Sequence, residues 1–292
     1  MVKILPIITL AILSPIIGEV VVYIFAPSIP WLENPFDMVI NFIMYPAGAL
    51  LIRELNFRWK KGLASMFLLG AVYALVEEGL ILRTIFTHNH PALGILGEFG
   101  RWMGVNWIAA LNFVIGHNIF SIVGPILLVE MIFPWNKDES WFGNIGLGIC
   151  FFALVGLVIL AHTISIYSLS IEQYIFSIPV IVGFVTLARI IPSGLGGHGS
   201  ARGNIIIFFI FGLMWHLIYF SIVWALLIFI YSPIIVFSAT LLWTFVMLIF
   251  LAHHDCSSNR HRLALIMGLI SALLLFRIME LILSGQTIAI IP

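Results

Sequence analysis

The chain has 292 residues, of which 62% are hydrophobic and 9% are charged, and its mean hydropathy is +1.16. A soluble domain carries roughly 25% charged residues, so this composition excludes an ordinary water-soluble fold and predicts a protein that crosses a membrane several times. The 13 basic and 13 acidic side chains balance, which removes the electrostatic basis for binding nucleic acid. Cys150 in an apolar run and Cys256 in a short polar segment argue against a disulfide framework and against a cysteine metal site.

Nine runs of the sequence predict transmembrane helices, because a bilayer core needs about 20 apolar residues per helix. We expect an all-α, polytopic bundle with eight or nine spans, in which residues 1–292 form one integral membrane domain and no soluble domain. The first run follows Lys3, as a signal peptide would, but it lacks a small-residue cleavage site and continues through Glu19, which favours a retained helix. The second run is short and could be tilted or re-entrant. The predicted spans are residues 4–25, 38–52, 63–86, 106–133, 143–167, 174–191, 204–231, 234–253 and 263–283.

The distribution of Lys and Arg predicts the orientation, since cytoplasmic loops carry an excess of both. With the N-terminus in the cytoplasm, the opposite loops hold Arg101 alone, and the bias also predicts an outside C-terminus. We therefore expect a multi-pass protein of the cell membrane, surrounded by the lipid bilayer. The basic residues on the predicted cytoplasmic side are Lys3, Arg53, Arg58, Lys60, Lys61, Lys137, Arg189, Arg202, Arg260 and Arg262.

Ionisable and histidine side chains inside the spans are the candidates for function, because a charge at the centre of a membrane helix costs roughly 2.5–3.5 kcal/mol or more. In the oriented spans seven of them fall between the middle of the bilayer and its outer surface, which predicts a shared polar cavity open to the outside; the seven are Glu19, Glu78, His117, His162, His216, Arg277 and Glu280. The alternative is that each residue pairs separately with a neighbouring helix and stabilises the packing. The candidates are Glu19, Glu77, Glu78, Arg83, His117, His162, His216, Arg277 and Glu280.

The adjacent pair Glu77 and Glu78 is the most specific of these signals. Neighbouring residues on a helix point about 100° apart, and two carboxylates this close in a low dielectric are not both expected to be ionised. Such a pair is typical of a general base beside a hydrogen-bond donor, and equally of the proton-binding element of a transporter. Arg83 lies about 140° around the helix from Glu78, so we expect it to extend outward or to reach another helix.

Two of the membrane histidines lie on faces that carry other polar or aromatic residues. His117 shares a helix face with Phe113 and Ser121, four residues before and after it, and His216 has Tyr219 one turn further on. For both histidines a hydrogen-bonded packing role stays open beside a catalytic or ligand role, and His162 is the weaker candidate. Any two of the three could supply the axial ligands of a haem.

Other polar features have simpler interpretations. Glu54 beside Arg53 is expected to be a solvated helix end, and Glu130, which precedes an aromatic segment, is expected to be interfacial. The glycine-rich segment 193–203 follows no strand and lacks the Gly-Lys-Ser/Thr ending of a phosphate-binding loop. It is therefore interpreted as a flexible cytoplasmic connection.

Two adjacent glutamates on one helix, a Phe-x-x-x-His motif on the next and a later membrane histidine resemble the CAAX-protease and bacteriocin-processing family of intramembrane hydrolases. The matching residues are Glu77, Glu78, Phe113, His117 and His216. The resemblance implies that one of the glutamates activates water and that His117 and His216 stabilise the developing oxyanion. The pattern departs from that family at Arg83, five rather than four residues after the second glutamate, and at Phe220, where the family has Asn or another polar residue.

Three functions follow as hypotheses. The first is an intramembrane hydrolase of the endopeptidase type, to which a divalent metal such as zinc could be bound, because carboxylate and imidazole ligands suit it. The second is a proton-coupled small-molecule transporter, which predicts polar residues that continue to the inner surface. The third is a subunit of a larger membrane complex, which could contain haem.

Overall fold

The computed structural model describes residues 3–21, 34–193, 203–254 and 258–284. In this part of the chain, eight helices are long and apolar enough to cross a membrane, and a shorter apolar helix covers Ile4–Glu19. The predicted all-α, polytopic architecture is confirmed.

The helices follow the predicted spans in chain order. They are α1 (Ile4–Pro15), α2 (Pro35–Arg58), α3 (Leu63–Leu75), α4 (Trp107–Gly116), α5 (Val123–Ile132), α6 (Asn144–Ile164), α7 (Ile171–Ile190), α8 (Ile205–Phe229), α9 (Pro233–His253) and α10 (Asn259–Ser284). Helices α4 and α5 are the two halves of one span, Trp107–Ile132. Between α3 and α4 lie a 3-10 helix, Pro91–Leu96, and two short antiparallel strands, β1 (Arg101–Trp102) and β2 (Val105–Asn106), in which Arg101 pairs with Asn106.

The second predicted span differs from the structure in length. Helix α2 has 24 residues, so the expectation of a short or re-entrant segment is wrong. At its N-terminus the side chain of Asn34 accepts a hydrogen bond from the amide of Phe36. At its other end the helix continues past the apolar run, because the charged side chains there are paired inside the protein rather than left in lipid.

The segments that were predicted to be cytoplasmic lie together at one end of the bundle. Lys3 Nζ is 2.6 Å from Glu139 Oε2, which joins the start of α1 to the connection between α5 and α6. Lys61 Nζ donates to the carbonyl of Ile191 at 2.8 Å, which joins the start of α3 to the end of α7. We refer to this end as the inner end.

The opposite, or outer, end gathers the remaining connections. The rings of His90 and Tyr167 are 4.8 Å apart, and those of Phe99 and Tyr231 are 5.0 Å apart. The segment that contains Pro91–Leu96 therefore lies beside the α6–α7 and α8–α9 connections. This arrangement agrees with the alternation of inner and outer segments in the predicted topology.

Charged residues at the inner ends of α2 and α5 are buried, so the solvated position predicted for Glu54 and the interfacial position predicted for Glu130 are wrong. Arg53 and Glu54 are 1% and 0% exposed. The Arg53 guanidinium donates to the carbonyls of Lys137 and Glu139 at 2.6 and 2.7 Å, and its Nε lies 3.4 Å from Glu130 Oε1. The connection after α5 folds back over the end of α2 and removes these groups from solvent.

An apolar layer separates this inner cluster from the polar residues nearer the middle of the bundle. Leu10, Met44, Leu69, Ile122 and Ile126 are each no more than 2% exposed and belong to one packed core. Helix α8 packs closely on α10, because Gly212 has no side chain to hold the two backbones apart. That close approach positions His216, one turn further along α8.

Candidate functional site

Three of the helices widen into π-helical turns where the candidate acids and His117 lie. The turns are Ile16–Val21 after α1, Val76–Ile81 after α3, and His117–Ile122 between α4 and α5. They contain Glu19, the Glu77–Glu78 pair and His117. Because such turns are rare and occur frequently at functional sites, three of them around one group of polar residues favour a functional role. Gly18 allows the first turn to approach Ser121, with which a Cβ at that position would clash.

His117 contacts both glutamates. Its Nε2 lies 3.0 Å from Oε1 of Glu78, and its Nδ1 lies 3.3 Å from Oε2 of Glu77 and 3.1 Å from the hydroxyl of Ser121. The hydroxyl of Thr84 donates to Oε2 of Glu78. All five of these residues are buried, so a single imidazole joins two carboxylates inside the protein.

The charges of this cluster do not balance without a further positive group. An imidazolium at His117 compensates one of the two carboxylates, and a second buried carboxylate needs a proton or a cation. That Glu77 and Glu78 are not both ionised stays a prediction. The cluster is therefore able to accept a proton from a bound molecule and to return it.

The same residues fit a divalent metal ion. Glu77, Glu78 and His117 each offer one ligand atom, and these atoms lie within 4.8 Å of one another. Within the described part of the chain, neither carboxylate oxygen of the buried Glu77 makes a hydrogen bond of good geometry, and its closest contact is the 3.3 Å ion pair with His117. Two carboxylates and one imidazole form a donor set that Zn²⁺ accepts, with a fourth position open for water.

A cavity of about 330 Å³ opens beside this cluster. Glu78 and His117 line it, and so do Glu19, His216 and Arg277, whereas Glu77 is not among the lining residues. The remaining wall is largely apolar and aromatic, and it reaches the outer end of the bundle at Leu96. The aromatic residues of this wall include Phe113, Phe120, Phe220 and Trp224.

His216 lies on the opposite wall of the cavity, with a defined tautomer. Its Nδ1 lies 2.8 Å from the carbonyl oxygen of Leu269, and since a carbonyl only accepts, Nδ1 carries the proton. In the neutral ring Nε2 is then an acceptor. The ring is packed between Phe120 and Phe220, with centroid distances of 5.5 and 4.5 Å.

Among the residues expected in the shared cavity, His162 lies outside it, so that expectation is wrong for His162; Arg83, which was not expected there, does not line the cavity either. The buried Arg83 donates to the carbonyl of Tyr167, as expected of a side chain that reaches another element. His162 is exposed on the outside of the bundle, where its Nδ1 lies 3.0 Å from the hydroxyl of Tyr174. The side chain of Glu280 lies outside the part of the structure that is described.

Asn112, Tyr45 and Tyr73 escaped the sequence analysis because they are uncharged, and Tyr219 was noted there only as a neighbour of His216. Asn112 and Tyr219 line the cavity, and the Tyr219 hydroxyl donates to Oδ1 of Asn112. The Tyr45 hydroxyl donates to Glu19. The rings of Tyr45 and Tyr73 lie 6.1 and 5.8 Å from that of His117. A tyrosine in the middle of a span, rather than at a membrane interface, is the signal that could have identified Tyr45 and Tyr73.

Comparison with protein-family models matches residues 8–290 to an uncharacterized membrane protein family, and the chain belongs to that family. No curated protein and no solved structure matches the chain. The family match agrees with the multi-pass membrane architecture.

Proposed function

We propose that this multi-pass protein is an intramembrane hydrolase of the cell membrane, of the endopeptidase type, in which Glu78 activates water. The observation that carries the proposal is the 3.0 Å contact between Glu78 Oε1 and His117 Nε2 on the wall of a cavity of about 330 Å³. A general base must lie within hydrogen-bond reach of the proton that it removes. Glu78 faces space in which water and a peptide carbonyl can lie.

The reaction begins when the Glu78 carboxylate takes a proton from a water molecule in the cavity. The water oxygen attacks the carbonyl carbon of the substrate, and the carbonyl oxygen becomes an oxyanion. When this intermediate collapses, the C–N bond breaks and the leaving amine takes the proton from Glu78. His117 holds Glu78 in position, while Glu77, which does not face the cavity, orients the imidazole from its Nδ1 side.

We assign to Asn112, which lines the cavity, the hydrogen bond to the oxyanion. Its Oδ1 accepts from Tyr219, which fixes the amide group on the cavity wall and leaves its N–H groups as donors. Phe220 occupies the position at which the resembled family has a polar residue, and Asn112 supplies an amide from a different helix. Neutral His216 offers an acceptor at Nε2, so we assign it the binding of an N–H group of the substrate rather than of the oxyanion.

A bound metal would use the same residues, but Glu78 would then be a ligand of the ion rather than the free general base of the metal-free scheme. Zn²⁺ held by Glu77, Glu78 and His117 would supply Lewis-acid activation of water. The residues of the chain keep their remaining tasks: Asn112 faces the carbonyl oxygen, and the aromatic wall excludes bulk water.

The transporter alternative is less well supported, because it needs a polar path to the inner surface. Between Tyr45 near the cluster and Arg53 at the inner end, helix α2 buries Ala47, Ala49 and Ile52. Leu69 of α3 and Ile126 of α5, which belong to the same packed core, are apolar as well. A role as a subunit of a larger complex, with or without haem, stays a prediction. Both ring nitrogens of His117 contact other residues of the cluster, so neither one faces an open position for a haem iron.

The test is hydrolysis of membrane-spanning peptides in ¹⁸O-labelled water. The purified protein in lipid nanodiscs is incubated with a pool of such peptides, and the products are identified by mass spectrometry. We expect each new C-terminal carboxyl group to carry ¹⁸O, and we expect Glu78→Gln to abolish the cleavage. Glu172→Gln, which changes an exposed glutamate at the start of α7, serves as the matched control. Cleavage that persists in Glu78→Gln, or a wild-type protein that cleaves none of the peptides, would contradict the proposal.

A further inference from the structure

The inner end of the bundle contains a second cavity, of about 290 Å³, on the other side of the apolar layer from Glu78. The ends of α2, α3, α5 and α10 and the connection after α5 form its walls. We propose that this inner cavity binds the phosphate group of an anionic ligand, either a phospholipid headgroup or a soluble phosphate compound. The proposal does not depend on the hydrolase.

The charge of the inner cavity is strongly positive, although the whole chain is neutral. Its lining includes five cationic side chains and two acidic ones. Glu130 forms an ion pair with Arg53, at 3.4 Å from its Nε, and the other charged residues of the lining are four cations and one aspartate. Those residues are Lys60, Lys61, Lys137, Arg262 and Asp138.

The N-terminus of α3 adds backbone donors to these charges. Helix α3 begins at Leu63 after Gly62, which has no side chain with which to cap the helix, and both residues line the cavity. The first four N–H groups of a helix have no partner within it, and together with the helix dipole they favour a bound anion.

A buried donor in the same wall is not satisfied by the protein. Arg53 is 1% exposed, and its Nε has no hydrogen-bond partner among the described residues. Its contact with Glu130 is an ion pair at 3.4 Å rather than a hydrogen bond. The cavity wall therefore contains a fixed, buried guanidinium, whose Nε has only the 3.4 Å ion pair with Glu130, beside the lysines of the lining.

Apolar residues complete the lining and suit an amphiphilic ligand. Phe57, Met66 and Leu127 lie beside the cations, so a phosphate and the first carbons of an attached chain have matching surfaces. Basic pockets between membrane helices on the cytoplasmic side bind anionic headgroups. The Lys and Arg bias predicts that side for this end.

The test measures binding at constant ionic strength by the shift in thermal unfolding of the detergent-solubilised protein. Phosphatidylglycerol, phosphatidylcholine and inorganic phosphate are compared on the wild type and on the double variant Lys60→Gln/Lys137→Gln. We expect phosphatidylglycerol to stabilise the wild type. We expect it to bind the double variant roughly 30-fold more weakly, because the variant lacks the usual contribution of two lysines to the binding free energy of an anionic lipid. Arg189→Gln, at the inner end of α7 but not in the lining, should bind as the wild type does.

The comparison of the three compounds also distinguishes a lipid headgroup from a soluble phosphate compound as the ligand. Stabilisation by inorganic phosphate at equal concentration would identify a soluble ligand, and stabilisation by phosphatidylglycerol alone a lipid. Equal responses to phosphatidylglycerol and phosphatidylcholine with none to phosphate would overturn the proposal, and so would equal binding by wild type and double variant. The unfolding midpoints without ligand show whether the variants are folded.

Discussion

Glu78 and His117 are 39 residues apart in sequence and meet at 3.0 Å, Oε1 to Nε2, because two different helices each form a π-helical turn at the same depth. A regular α-helix would turn each side chain by about 100° per residue, and the wider turns change that direction locally. Glu77 reaches the other ring nitrogen at 3.3 Å. One imidazole thus organises two carboxylates, only one of which faces the cavity.

This asymmetry predicts different effects for the two glutamates. Glu78→Gln removes the proposed base and should lower the rate of hydrolysis by about 10²–10⁴-fold. Glu77→Gln keeps the base and disturbs only the orientation of His117, so we expect a loss of about 10- to 100-fold, as for residues that support a ligand. The measurement is kcat of both variants on a peptide from the pool that the wild-type protein cleaves. Equal losses, or a greater loss in Glu77→Gln, would assign the base to Glu77.

Two residues of the cavity wall, Asn112 and His216, are predicted to affect different kinetic constants. Asn112→Ala removes the proposed oxyanion donor and should lower kcat by about 10²–10³-fold. His216→Ala removes an acceptor for the substrate, so its main effect should be a higher KM. His162→Ala, at an exposed histidine outside the cavity, is the control and should leave both constants unchanged. A kcat effect confined to His216→Ala would return the oxyanion role to that residue.

The sequence was sufficient to predict the spans, their alternation between two ends, and the choice of Glu77, Glu78 and His117 as candidates, which the structure places in contact. Long apolar runs and costly intramembrane charges are strong signals, because the bilayer leaves few other solutions. The sequence could not reveal the π-helical turns, which depend on packing between helices. It ranked His162 below His216, but it did not show that His216 lines the cavity while His162 faces outward, since each is one histidine in an apolar helix.

Buried charge at the inner end was missed for a related reason. Arg53 and Glu54 end an apolar run, which ordinarily indicates a solvated helix terminus. Their burial depends on the connection after α5, whose carbonyls accept hydrogen bonds from Arg53. A contact across more than 80 residues leaves no local pattern in the sequence.

The donor set of the cluster predicts that the protein binds one equivalent of Zn²⁺. Glu77, Glu78 and His117 place their ligand atoms within 4.8 Å of one another, and the charge of the ion would compensate the buried carboxylates. Isothermal titration of metal-depleted protein should show one site, lost in His117→Ala and retained in His162→Ala. A titration without binding would indicate that the cluster works as a metal-free acid–base site.

The buried ion pair at the inner end predicts a large effect on stability. Arg53→Met leaves Glu130 buried without its partner, and breaking such a pair typically costs about 3–5 kcal/mol. Replacing both residues by methionine should recover part of this loss, because it removes the uncompensated charge. Chemical denaturation in detergent gives the free energy of unfolding of each variant. A single variant as stable as the wild type would contradict the role assigned to the pair.

The outer connection predicts a dependence on pH, since Glu98 holds it together. Glu98 Oε1 accepts the amide of Asn89 at 2.8 Å, and its other oxygen lies 3.0 Å from Nδ1 of His88. Partial desolvation raises the pKa of Glu98, but the Asn89 amide, His88 and Arg101 together hold that pKa below its ordinary value of 4.5. A carboxylate whose pKa is lowered in the folded state stabilises the loop at pH values above its ordinary pKa. This stabilisation is lost as the pH falls through the lowered pKa.

Hydrogen exchange at the Asn89 amide checks this prediction. Relative to the unprotected rate at each pH, protection should be constant above about pH 5 and should fall below about pH 4.5, where Glu98 begins to take up a proton. Glu98→Gln should give low protection throughout, without that transition, because the neutral amide attracts His88 and Arg101 far less. Glu139→Gln, at the opposite end of the bundle, is the control and should titrate as the wild type does. A transition that persists in Glu98→Gln would assign the pH dependence to another group.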